Sequence, residues 1–292
     1  MNRVSGIKKI TIIAGHTMII SDSKGMKMFK KILLRCTPYI YTGLFLVLFS
    51  CVNGGNRKLE ETPTRGDIRI FCDESFQPLI EAEVYAFSSL YNTEYNKASI
   101  KAVYKPEVDI INDFMNDSVK VIATSKKLTD DQIKWLRDTL IITRTTTFAY
   151  DALALVTNIE NSDTMIKYET IKDIFLGKIT NWKEIDAKSK LGDISVIFDN
   201  AKSGNIRYFK ERFEISDKLP QNFFAVNSNK DVVDFVSKNK NAMGIVSVNW
   251  ISDKDDSTSR SFIDKINVLA ISQPYLTDGY YYHPDQGFIY DK

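Results

Sequence analysis

Residues 196–213 read V-I-F-D-N-A-K-S-G-N-I-R-Y-F-K-E-R-F, which joins a short strand to the start of a helix through a polar break. Ser203 belongs to the class of residues that cap helices, so we expect a helix to begin beside it. The first turn of a helix carries amide groups without intrahelical partners, and the helix dipole adds positive charge there. Gly204 lets a ligand approach the backbone closely, and the Arg207 side chain leans back toward the same point. The stretch therefore predicts a cradle for a small oxyanion, although an ordinary capped helix has the same pattern.

Two earlier segments have the same organisation. A predicted strand over 67–72 is followed by D-E-S-F at 73–76 and then by a helix. A second predicted strand, over 120–123, is followed by the hydroxyl residues Thr124 and Ser125. Repeated alternation of strands and helices predicts an α/β fold with largely parallel sheets, in which ligands bind at the carboxyl ends of strands. We therefore expect the three junctions to converge on one ligand.

Charge and composition exclude several classes of function. Eight of the 39 Lys and Arg residues, but one of the 37 Asp and Glu residues, lie within residues 1–50. The rest of the chain holds 31 bases and 36 acids, so its net charge is about −5. A mildly acidic body argues against nucleic-acid binding. Three cysteines without a C-x-x-C pair and two histidines argue against a zinc site or a histidine-based catalytic triad, and we expect no cofactor.

The N-terminal region has the pattern of a secretory signal. Residues 26–50 begin with a basic segment and continue into an apolar run that is too short for a stable membrane span. The run ends L-F-S-C at Cys51, which resembles a bacterial lipobox and predicts a lipid-modified cysteine; a buried apolar segment is the alternative. Residues 51–65 are polar and are interpreted as a tether. Residues 1–25 fit no signal of their own and are interpreted as an upstream extension.

From residue 67 onward, the motif order resembles that of PstS-like phosphate-binding proteins, particularly their lipoprotein form in Bacteroidetes. The motifs are D-E-S-F-x-P, T-S-x-x-L-T, D-A-L-A-L-V-x-N, G-x-I-T-N-W, D-N-x-x-S-G-N-x-R and A-M-G-I-V-S-V-N-W. The resemblance implies a type 2 periplasmic-binding fold, whose two lobes close by a hinge on an oxyanion without catalysis. It also implies an ABC transporter permease as the partner that receives the ligand. The ligand site that it implies consists of Ser75, Phe76, Thr124, Ser125, Ser203, Gly204, Asn205 and Arg207.

Three positions depart from the family pattern. Asn205 replaces the threonine that follows the serine–glycine pair in the family. The better-known members place an acceptor aspartate in the second loop to recognise protonated phosphate, whereas here Lys126 follows the two hydroxyl residues. They also place an arginine just before the serine–glycine turn, where this chain has Phe198 and Asp199. Arg207, downstream of the turn, is then the guanidinium left to neutralise the ligand.

The resemblance also predicts the division into lobes. Residues 66–156 are expected to form the first part of the first lobe, residues 157–245 the second lobe, and residues 246–292 an incomplete return to the first lobe. Family members continue further, so we expect the first lobe to be incomplete. The predicted protein is a monomer in the cell envelope, held by its lipid anchor and facing the periplasm or the cell surface.

Two other functions stay open from the sequence. The chain could be a surface lipoprotein that kept the binding fold and lost its ligand. It could also be a phosphohydrolase that uses carboxylates at strand ends, although no metal-ligand cluster or nucleophile–base pair is visible in the sequence. The candidate carboxylates for that reaction are Asp73, Glu74, Asp151 and Asp199.

Overall fold

A computed structural model of the chain describes residues 7–17, 61–93, 97–215, 218–252, 257–274 and 279–284. The strands are β1 (Ile7–Thr17), β2 (Gly66–Asp73), β3 (Ala98–Lys105), β4 (Val121–Thr124), β5 (Ile141–Asn158), β6 (Met165–Ile166), β7 (Ser195–Phe198), β8 (Phe223–Ala225), β9 (Ala242–Ser247), β10 (Ile266–Val268), β11 (Ala270–Ser272) and β12 (Tyr281–Tyr282). The helices are α1 (Gln77–Tyr91), α2 (Glu107–Met115), α3 (Asp130–Asp138), α4 (Tyr168–Phe175), α5 (Gly204–Arg212), α6 (Asn229–Lys238) and α7 (Ser257–Ile263).

One long strand, β5, joins two halves of the main sheet. The sheet runs in the order β3-β2-β4-β1-β5-β9-β7-β8, and β10 also pairs with β5. The first part of β5, up to Ala152, pairs with β1, and the second part, from Leu153, pairs with β9. We call the half built on β1 to β4 the first lobe and the half built on β7 to β9 the second lobe; β6, β11 and β12 form a separate small sheet. Within each lobe the strands that precede helices run parallel, so the predicted α/β fold is confirmed.

The strand β1 was not predicted from the sequence. It pairs antiparallel with β4, from Thr11 opposite Thr124 to Ala14 opposite Val121. On its other side it pairs antiparallel with β5 along its whole length. Residues 7–17 read I-K-K-I-T-I-I-A-G-H-T and are rich in the β-branched residues that favour strands. A segment interpreted as an upstream extension thus fills the position between β4 and β5.

The helix α5 is fixed against the second lobe by its apolar stripe. Ile206, Phe209 and Phe213 are all buried, as their spacing of three and four residues predicts. The ring of Phe209 stacks on that of Phe175 at a centroid distance of 4.6 Å. Because this face of α5 is packed in the core, its N-terminal end has a fixed position at the cleft between the lobes.

Several predictions fall on residues 18–60, which lie outside the described residues. These are the signal peptide over 26–50, the lipid-modified Cys51 and most of the tether, and they stay predictions. In the part of the chain that the structure describes, no helix has the length and apolar character needed to cross a membrane. The predicted lobe boundaries also stay predictions; within 246–292, β10 pairs with β5 between Val156 and Asn158.

Candidate functional site

The three predicted junctions meet between the lobes, at the start of α5. A Cβ atom built on Gly204 would lie 2.8 Å from Asp73 Oδ2, 3.0 Å from Ser125 Oγ and 3.1 Å from Glu107 Oε1. Asp73 ends β2 and Ser125 follows β4, so both belong to the first lobe, whereas Gly204 belongs to the second. The backbone of Gly204 is therefore the point where oxygen atoms from two first-lobe junctions approach the second lobe. The three junctions therefore lie close together, and their convergence on one ligand stays a prediction.

The start of α5 is capped as its sequence indicates. Ser203 Oγ accepts a hydrogen bond from the Ile206 amide at 3.4 Å and donates one to Asp199 Oδ1 at 2.6 Å. Asn205 Nδ2 donates to the other oxygen of the same carboxylate, Asp199 Oδ2, at 3.0 Å. Asp199 thus ties the strand β7 to the first turn of α5, and the side chains of Ser203 and Asn205 are turned toward it.

At the junction between β2 and α1, the Ser75 amide is bound within its own loop. The resemblance implies that Ser75 and Phe76 bind the ligand, but the Ser75 amide donates to Asp73 Oδ1 at 3.1 Å. The Ser75 hydroxyl instead reaches across to the second lobe, where it donates to Asp199 Oδ2 at 3.4 Å. Phe76 is fully buried and its ring packs in the first-lobe core. A short polar side chain that ends a strand binds its own loop first, which explains the difference.

The second junction is organised around a carboxylate that the sequence analysis did not single out, Glu107. Its Oε1 atom accepts hydrogen bonds from Thr124 Oγ1 at 2.9 Å, from the Ser125 amide at 3.2 Å and from Ser125 Oγ at 2.8 Å. The Lys126 amide donates to the same atom at 3.0 Å. Glu107 is the first residue of α2 and its side chain is completely buried. A carboxylate from the junction between β3 and α2 thus lies among the hydroxyls and amides that follow β4.

Arg207 joins this carboxylate to the second lobe. Its Nε donates to Glu107 Oε2 at 2.5 Å, and its Nη2 donates to Glu107 Oε1 at 3.2 Å and to Ser125 Oγ at 2.9 Å. Its Nη1 donates to Glu211 Oε2, one turn along α5, at 2.7 Å. Burial lowers the pKa of the guanidinium, but the hydrogen bonds and charges of the two glutamates outweigh burial and raise it above its ordinary value. A permanent positive charge is therefore held in the cleft between two carboxylates.

A second set of contacts across the cleft depends on two asparagines. Asn229 Nδ2, at the start of α6, donates to Glu74 Oε2 at 2.7 Å, and Asn229 Oδ1 accepts from the Ser247 amide at 3.0 Å. Asn249, just after β9, donates from Nδ2 to the Ser75 carbonyl at 2.8 Å and to Asp151 Oδ2 at 2.7 Å. Sequence reasoning missed both asparagines, and it missed Glu107. All three follow the end of a strand and lie in or just before a helical turn. The rule that ligands bind at the carboxyl ends of strands, applied to every strand, could therefore have found them.

The four carboxylates considered for phosphohydrolysis serve as hydrogen-bond acceptors in this network. Asp73 and Asp199 bind loop amides and hydroxyls, Glu74 binds Asn229, and Asp151 accepts from Asn249 and Ser247. Among the described residues, no group of three or more His, Cys, Asp or Glu side chains is placed to hold a metal ion. Burial raises the pKa of Glu74 to about 7; the nearby charges of Asp199 and Asp73 add to this effect and the hydrogen bonds from Asn229 oppose it.

The raised pKa of Glu74 predicts a stability that falls as pH rises. Below the ordinary value of 4.5, the carboxyl is protonated in both folded and unfolded chains, so its contribution is fully present. Between that pH and about 7, the unfolded chain releases the proton while the folded chain keeps it, so the free energy of unfolding decreases. We expect a loss on the order of 2–3 kcal/mol, which Glu74→Gln should abolish.

Urea unfolding at a series of pH values between 4 and 8 measures this effect. Glu169→Gln, at an exposed position on α4, is the control and should keep the wild-type pH profile. A Glu74→Gln protein whose stability still falls over this pH interval as the wild type's does would show that another group is responsible.

Comparison with known proteins places the chain in a family. Residues 59–291 match the model of the PBP superfamily domain. The phosphate-binding protein PstS of Borreliella burgdorferi is 23% identical over 244 residues, covering 79% of this chain and 76% of the relative. PstS of Staphylococcus aureus strain USA300 is 22% identical over 216 residues, covering 73% of this chain and 64% of the relative.

A solved structure shows the same fold. It is that of a putative phosphate ABC transporter substrate-binding protein from Clostridium perfringens with bound phosphate. The TM-score is 0.55 at 22% sequence identity, and the similarity covers 70% of this chain and 76% of the other. Together, these matches confirm the resemblance that the motif order predicts.

Proposed function

Because the chain belongs to the PBP superfamily, we propose that it is a solute-binding protein that captures phosphate, or a similar tetrahedral oxyanion, for an ABC importer. Its relatives include proteins named for phosphate binding. The observation that carries the proposal is the convergence of three strand–helix junctions, from two lobes, on the backbone of Gly204. Such a convergence suits the capture of a ligand by closure of the lobes, and the proposed protein binds its ligand without catalysis.

The proposed ligand lies at the N-terminal end of α5. The amides of its first turn and the helix dipole favour a negative charge there, and Arg207 adds a full positive charge from the same helix. A guanidinium binds two oxygen atoms of one oxyanion at once, with charge-assisted hydrogen bonds. From the first lobe, the hydroxyls of Ser75, Thr124 and Ser125 complete the shell when the lobes close. Ser203, Asn205 and Phe76 position these groups.

Isothermal titration calorimetry with phosphate, sulfate, molybdate and tungstate tests the proposal, together with an assay for phosphate-ester hydrolysis. We expect phosphate to bind and no ester to be hydrolysed. Absence of binding by all four anions would favour a lipoprotein that kept the fold and lost its ligand. Turnover of a phosphate ester would instead favour the carboxylate-based phosphohydrolase.

The position of Gly204 gives a prediction for this site. In Gly204→Ala the new methyl group would lie 2.8 Å from Asp73 Oδ2 and 3.0 Å from Ser125 Oγ, closer than such contacts normally allow. The lobes could then not close around a ligand, and phosphate affinity should fall by at least about tenfold, or 1.4 kcal/mol. Gly192→Ala is the matched control, because its methyl group would face Asn241 Nδ2 at 3.3 Å, away from the cleft. Unchanged phosphate affinity in Gly204→Ala would place the ligand elsewhere.

The proposed protein works at the outer face of a membrane as a monomer, anchored through a lipid on Cys51 and delivering its ligand to the permease of the importer. The basic and apolar segments before Cys51 support this proposal, and the mildly acidic body gives no support to a nucleic-acid partner. Metabolic labelling with a radioactive fatty acid tests the anchor, since label that persists in Cys51→Ala would contradict it.

A further inference from the structure

The donors that the sequence assigns to an oxyanion are bound here to the protein's own carboxylate. Thr124 Oγ1, Ser125 Oγ, the Ser125 amide and the guanidinium of Arg207 all donate to Glu107. The Oε1 atom that receives most of them lies 3.1 Å from the Cβ position of Gly204, at the start of α5. The carboxylate thus presents negatively charged oxygen at the point where the proposed ligand would present its own.

The ion pair between Arg207 and Glu107 is more deeply buried than a neighbouring ion pair between the lobes. Lys202 Nζ lies 2.9 Å from Asp109 Oδ1, also joining α2 to the second lobe, but both side chains are solvent-accessible, at 57% and 37% exposure. The side chain of Glu107 is 0% exposed and that of Arg207 is 20% exposed. Burial at this depth makes the Glu107 carboxylate depend on the full set of donors around it. An anion that entered the cradle would need the same hydrogen-bond donors, which already bind the Glu107 carboxylate.

We infer that Glu107 is an internal competitor of the ligand, whose carboxylate occupies the oxyanion cradle until an incoming oxyanion displaces it. This inference rests on the proposed function, because it assigns the control of affinity at the same site. Two anions within a few ångströms repel each other strongly in a buried environment, so the Glu107 carboxylate opposes the binding of an oxyanion to the same edge of the Arg207 guanidinium. The residue keeps the lobes joined without ligand and lowers the affinity for every oxyanion that uses the cradle.

The substitution Glu107→Gln distinguishes two roles of this carboxylate. In the first it competes with the ligand for the donors; in the second it accepts a hydrogen bond from a protonated ligand. Glutamine keeps the shape and one acceptor oxygen for the hydroxyls of Thr124 and Ser125, but it removes the negative charge that holds Arg207. Competition predicts that phosphate and sulfate both bind more tightly, by at least about tenfold, because the guanidinium is released for charge-assisted hydrogen bonds to the ligand. An acceptor role predicts weaker phosphate binding.

Calorimetric titration of the full chain with phosphate and with sulfate measures these affinities. Asp109→Asn is the matched control, since it removes the same charge from the same helix, at another contact between the lobes, and should leave both affinities unchanged. Thermal unfolding followed by circular dichroism establishes that each variant is folded. Unchanged or weaker phosphate binding by Glu107→Gln overturns the inference while leaving the proposed function intact. If neither the wild type nor the variant binds phosphate or sulfate, both the inference and the proposed function are overturned.

A measurement on the unmodified protein keeps the inference testable if the variant does not fold. The Arg207 Nε–H resonance in a ¹⁵N-labelled sample, assigned by its disappearance in Arg207→Lys, reports the partner of the guanidinium. If phosphate displaces Glu107 from Arg207, the chemical shift of this resonance should change when saturating phosphate is added, while that of Arg212 stays the same. An Arg207 resonance that does not move under saturating phosphate would overturn the inference.

Discussion

Arg207→Ala is expected to weaken phosphate binding by about 2–5 kcal/mol, because it removes a charge-assisted contact from a site shielded from water. The same substitution leaves Glu107, whose side chain is fully buried, without its positively charged partner. Breaking a buried ion pair on one side typically destabilises a protein by about 3–5 kcal/mol. Calorimetry with phosphate and urea unfolding of the ligand-free protein measure the two effects separately.

Arg212→Ala is the matched control for this prediction. Arg212 ends the same helix, and its guanidinium lies over the ring of Tyr168, at 5.6 Å from the centroid, away from the cleft. Its removal should change phosphate affinity little. Equal losses of affinity in Arg207→Ala and Arg212→Ala would show that the start of α5 is an ordinary capped helix.

The second large effect concerns the strand β1. A chain that begins at Cys51 lacks residues 7–17, so β4 and the first part of β5 both lose their partner along β1. Unpaired strand edges in the middle of a sheet leave many backbone hydrogen bonds unmade. At about 1 kcal/mol for each bond, we expect a loss of more than about 5 kcal/mol, concentrated in the first lobe.

Urea unfolding and hydrogen exchange of residues 51–292, compared with the full chain, test this expectation. We predict that the amides of β4 and of residues 141–152 lose protection, whereas those of β9 keep it because β9 pairs with β7 and the second part of β5. Cooperative unfolding of the shorter chain at the midpoint of the full chain would contradict the prediction. Cleavage before Cys51, as the lipobox pattern predicts, would produce this shorter chain.

The parts of the site that depend on near neighbours were predictable from the sequence. The cap at Ser203, the buried stripe of α5 and the polar ends of β2 and β4 all follow from residues within a few positions of each other. The rule that ligands bind at the carboxyl ends of strands then brought the three junctions together. The approach of the three junctions to Gly204 could therefore be predicted without knowing the side-chain contacts between the lobes.

The parts that depend on distant residues were not predictable. Glu107 and Arg207 are 100 positions apart, and a glutamate that opens a helix is usually a solvent-exposed residue placed to favour the helix dipole. Its burial arises because Thr124, Ser125 and Arg207 surround it when the lobes are closed. Likewise, the pairing of β1 with β5 joins residues more than 100 positions apart, which hydrophobic pattern alone does not specify.

The central claim is that a tetrahedral oxyanion binds where the three junctions meet, and tungstate can show this directly. Tungsten scatters X-rays anomalously, so crystals of the full chain grown with tungstate reveal the position of the anion without assumptions about its contacts. The account predicts one strong anomalous peak at the start of α5, with the oxygen atoms of the anion within hydrogen-bonding distance of the Gly204 amide and the Arg207 guanidinium. A peak elsewhere, or no peak in crystals of a protein that binds tungstate in solution, would contradict it.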